Sequence, residues 1–408
     1  MRNLLWFFVP IMPTTNTNHP QLTPLTLWVI TIATGLIVAN LYYNQPLLSE
    51  ISKTFNVSED KAGLISMLTQ MGYAAGMLFL APLADRMKRK RLMMIDFAFI
   101  LISLVAAGFA PNINILIEAS FFIGASSMIP QLLVPMAAHL ATPNTRGKVV
   151  GQVMSGLLIG ILLSRTLSGF IGEHFGWRAM FLIAAALMLV TWIFLFLLLP
   201  EVEPEYSGNY GSLMRSMVDL FKNEPKLRLA AFRGAFVFAC FGAFWTTLTF
   251  LLKEPQFNTG SQTAGLFGLV GVAGALGASL MGRVSDKTDP YYVTTATIAA
   301  VILAYVVFYF SGSSLVGLVI GVILLDMGVQ GTHISNQTTV LALHPEARNR
   351  LNTVYMVTYF IGGAIGTYLA SHFWAAYKWP GVCIIGLLLS CIALAGHLLC
   401  KKIAMAKG

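Results

Sequence analysis

Four polar side chains lie on one stripe of an otherwise apolar segment. Asp326 is followed by Gln330, His333 and Gln337, at intervals that place all four on one face of a helix. A charge inside an apolar membrane segment costs about 2.5–3.5 kcal/mol on insertion scales, so it is a candidate for function. Asp326 is therefore predicted to carry a proton, and His333 to relay one or to bind substrate. The alternative is a structural role for both residues. Asp326 would then anchor a hydrogen bond, and His333 would be a buried histidine with its hydrogen bonds made in the interior.

Arg165 is a second charge inside an apolar run. Burying an arginine without a partner costs so much free energy that we expect Arg165 to have a partner or a function. Its possible partners are Asp326, an anionic substrate, or Glu118 at the end of the preceding run. The neighbourhood of the two helices favours Glu118, which would make the pair structural. Arg165 is also predicted as a residue of the substrate cavity.

The composition shows which elements must position these residues. Of the 408 residues, 56% are hydrophobic and 11% are charged, whereas a soluble domain has about 25% charged residues. So few charges cannot make a water-soluble surface, which excludes a soluble protein, a disordered chain and a coiled coil. One span with its loop takes roughly 30–35 residues, and the length therefore predicts about twelve spans.

Apolar runs of helix length occur in two sets of six. The first set lies at 24–46, 61–84, 92–110, 114–142, 149–172 and 178–199. The second set lies at 228–252, 261–282, 291–311, 314–342, 351–377 and 380–400. Backbone groups in lipid must satisfy one another, so the runs are predicted to be helices. The fold class is an all-α membrane protein with twelve transmembrane helices in two six-helix halves.

These runs also give the domain organisation. The predicted parts are an N-terminal tail (1–23), a first half (24–199), a central loop with a short amphipathic helix (200–227), a second half (228–400) and a C-terminal tail (401–408). A shift of 202 residues places Arg146 on Arg348 and Gly160 on Gly362. Parallel six-helix repeats are typical of transporters that rock around a midplane site.

The placement of the charges gives the topology. The net charge is +9, and 19 of the 26 Lys and Arg residues lie on one side of the predicted spans, against 5 on the other. The positive-inside rule then places both termini in the cytoplasm. The cations are spread over membrane-flanking loops and do not form one patch, so no nucleic-acid partner is predicted.

Other kinds of chemistry have no motif in the sequence. It contains no Walker loop for ATP hydrolysis, no HExxH or CxxC motif, and no Ser/His/Asp set gathered in one loop. The four cysteines lie in apolar runs without metal-ligand spacing. We therefore predict neither an enzyme nor a metal site nor a cofactor.

The loop after the second span reads APLADRMKRKRL, in which an Asp-Arg pair is followed by basic residues. This loop resembles a signature of the major facilitator superfamily, and the matching residues are Asp85, Arg86, Arg89 and Lys90. A degenerate copy after the eighth span contains Asp286. With twelve spans and a central loop, the resemblance covers essentially the whole chain. It implies that these five residues form a cytoplasmic gate that latches the halves together in the outward-open state. The alternative is a basic run that only determines topology.

The resemblance also implies that spans one, four, seven and ten line a central cavity. The predicted cavity residues are Asn40, Tyr43, Asn44, Gln131, Arg165, Trp245, Gln330, Asn336, Tyr355 and Tyr359. Aromatic rings beside amides suit an amphipathic or sugar-like ligand. The alternative for each residue is helix packing or anchoring at the membrane interface.

Two further segments point to a class of transporter. NLYYNQPLL in the first span and SGLLIGILLSRTLSG in the fifth resemble bacterial efflux permeases of the drug or sugar-export type. We predict a proton-coupled exporter of a small organic compound, a monomer in the bacterial inner membrane whose partners are substrate, protons and lipid. The alternatives are an importer or facilitator of a nutrient, siderophore or metabolite, and a non-transporting receptor.

Overall fold

The computed structural model describes residues 22–202, 209–285 and 289–405, which form helices and loops without any strand. Nine helices in these ranges are long and apolar enough to cross a membrane. Pro24–Ala39 is apolar but shorter. The prediction of an all-α membrane protein is confirmed, whereas the count of twelve spans stays a prediction.

The first half begins at a capped helix. Thr23 accepts a hydrogen bond from the backbone N–H of Thr26, and Pro24 occupies the first turn, where no N–H is needed. The helices of this half are α1 (Pro24–Ala39), α2 (Leu48–Phe55), α3 (Glu59–Phe79), α4 (Arg89–Gly108), α5 (Ile113–Ser126), α6 (Pro130–Leu140), α7 (Arg146–Phe175) and α8 (Trp177–Leu198). A short break at 127–129 divides the predicted fourth span into α5 and α6.

A short helix in the central loop precedes the second half. This helix, α9 (Tyr210–Asn223), buries Leu213 and Met217, which lie one turn apart on one face. The remaining helices are α10 (Pro225–Lys253), α11 (Ser261–Ser285), α12 (Pro290–Phe310), α13 (Leu315–Leu341), α14 (Arg348–Leu399) and α15 (Lys401–Met405).

Two predicted spans are joined within α14. Its 52 residues contain one non-helical position, Lys378, whose φ of 53° and ψ of −148° turn the chain. Pro380 follows in the first turn of the next segment, where a proline is tolerated. The Nε1 atom of Trp379 donates to the carbonyl oxygen of Phe308 at 2.9 Å and fixes this turn against α12. The segments on either side of Lys378 correspond to the predicted runs 351–377 and 380–400.

Both halves contain a close helix contact at equivalent positions. A Cβ atom on Gly160 of α7 would lie 2.2 Å from the carbonyl oxygen of Gly35 on α1. A Cβ atom on Gly362 of α14 would lie 2.2 Å from the carbonyl oxygen of Ala235 on α10. The 202-residue shift that relates the two halves superimposes Gly160 on Gly362. Small residues at these points let the helix backbones touch, as in many membrane interfaces.

The helix bundle has two ends, an inner face and an outer face. The inner face carries the start of α1, the 80–88 loop, α9 and the 342–347 loop, and it is the side predicted to be cytoplasmic. The outer face carries α2, the 254–260 loop and Lys378. Between the faces, large apolar side chains such as Phe99, Ile102 and Leu197 are more than half exposed, as a lipid-facing surface requires.

Candidate transport site

A cavity of about 300 Å³ lies between the two halves and reaches the inner face. Its walls come from α3, α6 and α7 on one side and from α13 and α14 on the other, with α9 at the rim. The polar side chains that line it are Arg89, Gln131, His333, Gln337, Arg348, Asn349, Arg350, Asn352 and Thr353. Gln131, one of the predicted cavity residues, lies in this wall. His333, which was predicted as a proton relay, lies there as well.

His333 is held in the cavity wall by the aromatic residues of α14. Its Nδ1 atom lies 3.0 Å from the hydroxyl of Tyr355, and its ring centroid lies 4.8 Å from that of Tyr359. One helical turn nearer the inner face, Gln337 Nε2 donates to Asn352 Oδ1 at 3.2 Å. The predicted residues of α13 and of the start of α14 thus come together on one side of the cavity.

Gln131 is positioned on the opposite wall of the cavity. Its Nε2 atom donates to the hydroxyl of Tyr73 at 3.0 Å. The ring of Tyr73 then packs on Phe360 of the other half, with ring centroids 4.2 Å apart. The deep end of the cavity is therefore bounded by aromatic and amide groups from both halves.

Asp326 lies buried on α13, away from the cavity wall. Its side chain is 6% exposed, and its Oδ1 atom accepts a hydrogen bond from Trp245 Nε1 at 3.4 Å. The facing helix α11 has glycines here, because a Cβ atom on Gly271 would lie 2.3 Å from Asp326 Oδ2 and one on Gly274 would lie 2.6 Å from Asp326 Cβ. Glycine on α11 thus leaves the space that the carboxylate occupies.

Arg165 lies at the centre of the molecule within a ring of aromatic residues. The side chain is 2% exposed, and its Nε atom donates to Gln45 Oε1 at 2.7 Å. Its guanidinium carbon lies 4.1 Å from the ring centroid of Trp245, 4.7 Å from that of Tyr42 and 5.3 Å from that of Phe241. These distances are within the range of cation–π attraction.

The partner favoured for Arg165 from the sequence was wrong. Glu118 is exposed at the outer end of span four and makes no ion pair with Arg165. Asp326 is near enough to interact electrostatically with the guanidinium, although no carboxylate oxygen in the described chain lies within 4.0 Å of it. The Nη2 atom of Arg165 is buried and has no hydrogen-bond partner in the structure.

The outer ends of the two halves are held together by polar contacts. Glu59 Oε2 accepts from Trp374 Nε1 at 2.6 Å and lies 3.5 Å from Lys378 Nζ, and Ser261 bonds to Glu50. The residues of this outer seal are Pro46, Glu50, Glu59, Glu173, Thr249, Ser261, Gln262, Trp374 and Lys378. The cavity at the inner face and the closed outer face together describe an inward-open arrangement.

Other predicted cavity residues lie away from the cavity wall. Asn40 bonds to its own helix and to the sulfur of Met188 at 3.4 Å, and Asn44 bonds to Ser66 and Thr69 of α3. The remaining members of this group are Tyr43 and Asn336, which are buried, and Gln330, which is partly exposed.

The predicted gate residues are only partly described. Arg86 is exposed, Arg89 lines the cavity, and Lys90 Nζ donates to the carbonyl oxygen of Leu199 at 2.8 Å. The side chain of Asp85 and the whole of Asp286 lie outside the described part of the chain. The latch between them therefore stays a prediction.

Tyr42 and Phe241 were missed by the sequence reasoning. Tyr42 lies near the end of the predicted first span, where aromatic belts form, yet it is buried against Arg165. Phe241 lies one turn before Trp245 on α10, and this spacing on one helix face was the available signal. Over the residues that the structure describes, no group of three or more His, Cys, Asp or Glu could hold a metal ion.

Comparisons with known proteins place this geometry in a family. A family model described as Major Facilitator Superfamily matches residues 30–367. An uncharacterized transporter of Escherichia coli, YgaY, is 41% identical over 378 residues, which cover 91% of this chain and 94% of that protein. A probable transporter of Streptomyces coelicolor is 31% identical over 364 residues, covering 88% of this chain and 83% of its own length.

More distant proteins agree with this assignment. A probable sugar efflux transporter of Helicobacter pylori is 23% identical over 367 residues, covering 88% of this chain and 91% of that protein. The crystal structure of a bacterial homolog of the lysosomal transporter Spinster, inward-facing and unoccupied, gives a TM-score of 0.70 at 16% identity, covering 93% and 94% of the two chains. The nucleoside transporter NupG gives 0.73 at 17% identity, covering 92% and 99%.

These matches extend over nearly all the helices described above. The structural neighbours share the fold, and the sequence relatives are named as transporters and not as enzymes. The predicted family and the prediction of a membrane transporter are therefore confirmed. The chain belongs to the Major Facilitator Superfamily.

Proposed function

We propose that this protein is a proton-coupled exporter of a small organic compound, with Asp326 as the proton-carrying group. The observation that carries the proposal is the pair of buried charges Arg165 and Asp326, which come from different halves and share contacts with Trp245. A charged pair placed between two moving bodies couples protonation to their relative position. A pair of charges within one rigid half would keep its spacing when the halves move, so it would not couple protonation to that movement.

The coupling follows from electrostatics. When Asp326 is ionised, it attracts Arg165 in a site with little water, where the attraction is much larger than in bulk solvent. This attraction holds α13 against α7 and favours the arrangement in which the outer face is closed. Protonation of Asp326 removes the attraction, so that α13 and α7 can separate and the halves can move between the inward-open and outward-open arrangements.

His333 and Gln330 provide a route for the proton between Asp326 and the cavity. His333 lines the cavity and follows Asp326 by seven residues, which is about 10 Å along a helix. Gln330 lies between them on the same face and is partly exposed. In this arrangement the proton enters or leaves through the inner cavity, with His333 as the relay.

The remaining assignments belong to the same proposal. The inner cavity receives substrate from the cytoplasm, with both termini on that side and the protein a monomer in a bacterial inner membrane. Residues Asp85, Arg86, Arg89, Lys90 and Asp286 close this side when the cavity moves outward. Export is supported by the sugar efflux transporter of Helicobacter pylori among the relatives.

The direction and coupling of transport can be tested with reconstituted protein. Proteoliposomes are given a mixture of small metabolites and an imposed pH gradient, and each compound is followed by mass spectrometry. The proposal expects at least one compound to move against the proton flux, and collapse of the gradient to stop its accumulation. Movement of the compound in the same direction as the proton would indicate an importer, and gradient-independent flux a facilitator.

Asp326→Asn tests the proton-carrying group. This variant keeps the size of the side chain and removes its proton, so we expect gradient-driven flux to fall at least about 100-fold while exchange without a gradient continues. Asp96→Asn is the matched control, because Asp96 is also a carboxylate buried in a membrane helix (4% exposed) but lies on α4, away from Arg165. Equal losses in the two variants, or unchanged coupling in Asp326→Asn, would contradict the assignment.

A further inference from the structure

We propose that the substrate is an amphipathic organic anion, such as an aromatic or aliphatic carboxylate, and not an organic cation. This inference rests on the proposed transport function and names the substrate class of the same site. Three features of the pathway carry it: the charges at the cavity mouth, the chemistry of the cavity wall, and the incomplete hydrogen bonding of Arg165.

Two arginines at the cavity mouth have neutral partners. Arg348 Nε donates to the carbonyl oxygen of Leu341 at 3.2 Å, and Arg350 Nη1 donates to Ser216 Oγ at 3.0 Å. Carbonyl and hydroxyl groups satisfy donors but cancel no charge. The nearest acidic neighbour in sequence, Glu346, places its carboxylate 3.6 Å from His344 instead. The mouth therefore attracts anions, and the attraction is effective over about 8 Å at physiological salt.

Among the side chains that the structure describes, the cavity wall offers an apolar surface and no acidic counter-charge for a cation. Among its described side chains none is acidic, and the polar groups deep in the cavity are an imidazole and amides. A cationic ligand would lose its hydration without gaining a carboxylate, which is unfavourable in a partly dry site. The apolar part of the wall includes Met77, Met154, Met217 and Met356, whose flexible thioethers adapt to varied shapes.

Arg165 does not line the inner cavity, but it is a charge between the halves that an anion would meet deeper in the pathway. Its side chain is 2% exposed, and its buried Nη2 atom has no hydrogen-bond partner among the described residues. A buried donor left unpaired costs about 1–3 kcal/mol, and a carboxylate oxygen would remove this penalty. The acidic group that faces it, Asp326, makes no contact within 4.0 Å in the described structure. Trp245 and Tyr42 pack on the guanidinium and hold it in place.

A neutral sugar fits these observations less well. Amides and tyrosines can bind hydroxyl groups, as in many sugar sites. A sugar, however, leaves the charges of Arg348, Arg350 and Arg165 without a ligand, and it makes no use of four methionines in the wall. An anion with an apolar body uses the cationic and the apolar parts of the pathway together.

The test compares three probes of the same shape. The probes are 2-naphthoate, 2-naphthamide and 2-naphthylmethylammonium, and their affinity for the full-length protein in nanodiscs is measured by calorimetry at pH 7 without a gradient. We expect the carboxylate to bind at least about 10-fold more tightly than the other two. Equal affinities, a preference for the ammonium probe, or no binding of the carboxylate would overturn the proposal.

A double variant locates the effect at the cavity mouth. Arg348→Gln with Arg350→Gln should weaken 2-naphthoate about 10-fold and leave 2-naphthamide within twofold. The control removes two exposed charges from the same face outside the cavity, Lys222→Gln with Lys402→Gln, and should change neither probe. If the double variant and its control lose the same affinity for 2-naphthoate, the effect comes from general surface charge. That result would overturn the assignment to the cavity mouth.

The two proposals can fail separately. Binding is measured here at one pH and does not depend on coupling. Carboxylate binding that persists without proton-driven flux would refute the exporter and keep the substrate class. Proton-driven flux of a cation or a neutral compound would refute the anionic substrate class and keep the proton coupling.

Discussion

The outer seal and the inner cavity are built from different kinds of contact. In the outer seal, carboxylates of the first half meet Trp374, Lys378 and a backbone N–H of the second half, and helix backbones touch at glycines. Around the inner cavity, polar groups bond mainly within their own half, as His333 does with Tyr355. The comparison indicates that the inward-open arrangement is held by the outer contacts, so weakening them should move the protein toward the opposite state.

The largest effect is expected from a methyl group in the outer seal. In Gly169→Ala the new Cβ atom would lie 2.3 Å from the carbonyl oxygen of Ser261 and 3.0 Å from the Cα atom of Gly265. Both atoms belong to a backbone, so only separation of α7 from α11 relieves the overlap. We expect the inward-open state to be destabilised by roughly 1–3 kcal/mol. Spin labels at the exposed outer positions 175 and 377, in a cysteine-free background, would report a longer distance between the halves.

The same helix supplies the control. Gly151 lies in the inner part of α7, and a Cβ atom there would meet nothing within 4 Å. Gly151→Ala should leave the outer distance distribution unchanged. A shift of equal size in both variants would show that α7 responds as a whole, and the contrast between the two ends would fail.

A smaller effect is expected from a charge in the outer seal. Glu59→Gln keeps an oxygen acceptor for Trp374 but removes the attraction to Lys378. Because the Glu59 side chain is 33% exposed, solvent screens part of this attraction, and we expect a loss of about 1 kcal/mol. The measurement is the fraction of outward-open protein from the same pair of spin labels.

Glu254 provides a matched comparison for Glu59. It lies at the same 3.5 Å from Lys378, but it belongs to the same half as that lysine and bonds to no tryptophan. Glu254→Gln should therefore change the outward-open fraction less than Glu59→Gln. The reverse order would mean that Lys378 is held mainly by its own half.

The smallest effect is expected at the inner face. His344 Nε2 lies 2.9 Å from Glu224 Oε1, and this hydrogen bond raises the pKa of His344, with Glu346 adding to the effect. A raised pKa in the folded state gives stabilisation that is fully present below the unfolded value of about 6.5 and is lost as pH rises through the folded value. Glu224→Gln should lower the pKa of His344, measured by NMR, and lower the melting temperature more at pH 6 than at pH 8. An unchanged pKa would contradict the role of this hydrogen bond.

Much of the architecture follows from local properties of the sequence. Lipid forces the backbone to satisfy itself, so apolar runs identify helices, and the 202-residue shift predicted that Gly160 and Gly362 are equivalent. Arg165 and Asp326 were identified because a charge in an apolar run is rare. These inferences need only the residues along the chain and the solvent, and no knowledge of how the halves dock.

The contacts between the halves could not be obtained in the same way. Trp374 has the sequence context of an interfacial anchor, yet it is fully buried and donates to Glu59, which lies 315 residues away. Tyr42 likewise belongs to an apparent aromatic belt and instead packs on Arg165. Which side of a helix meets the other half depends on how the two bundles dock, and no local periodicity encodes this.

The outer seal also acts as an electrical insulator. Trp374 and Trp245 are buried and donate hydrogen bonds to Glu59 and Asp326, respectively. If Asp326 carries the proton as proposed, these side chains separate it from the outer face in the inward-open arrangement. The seal would then limit proton leak across the membrane, and a leak current across bilayers containing Glu59→Gln would report how tightly it insulates.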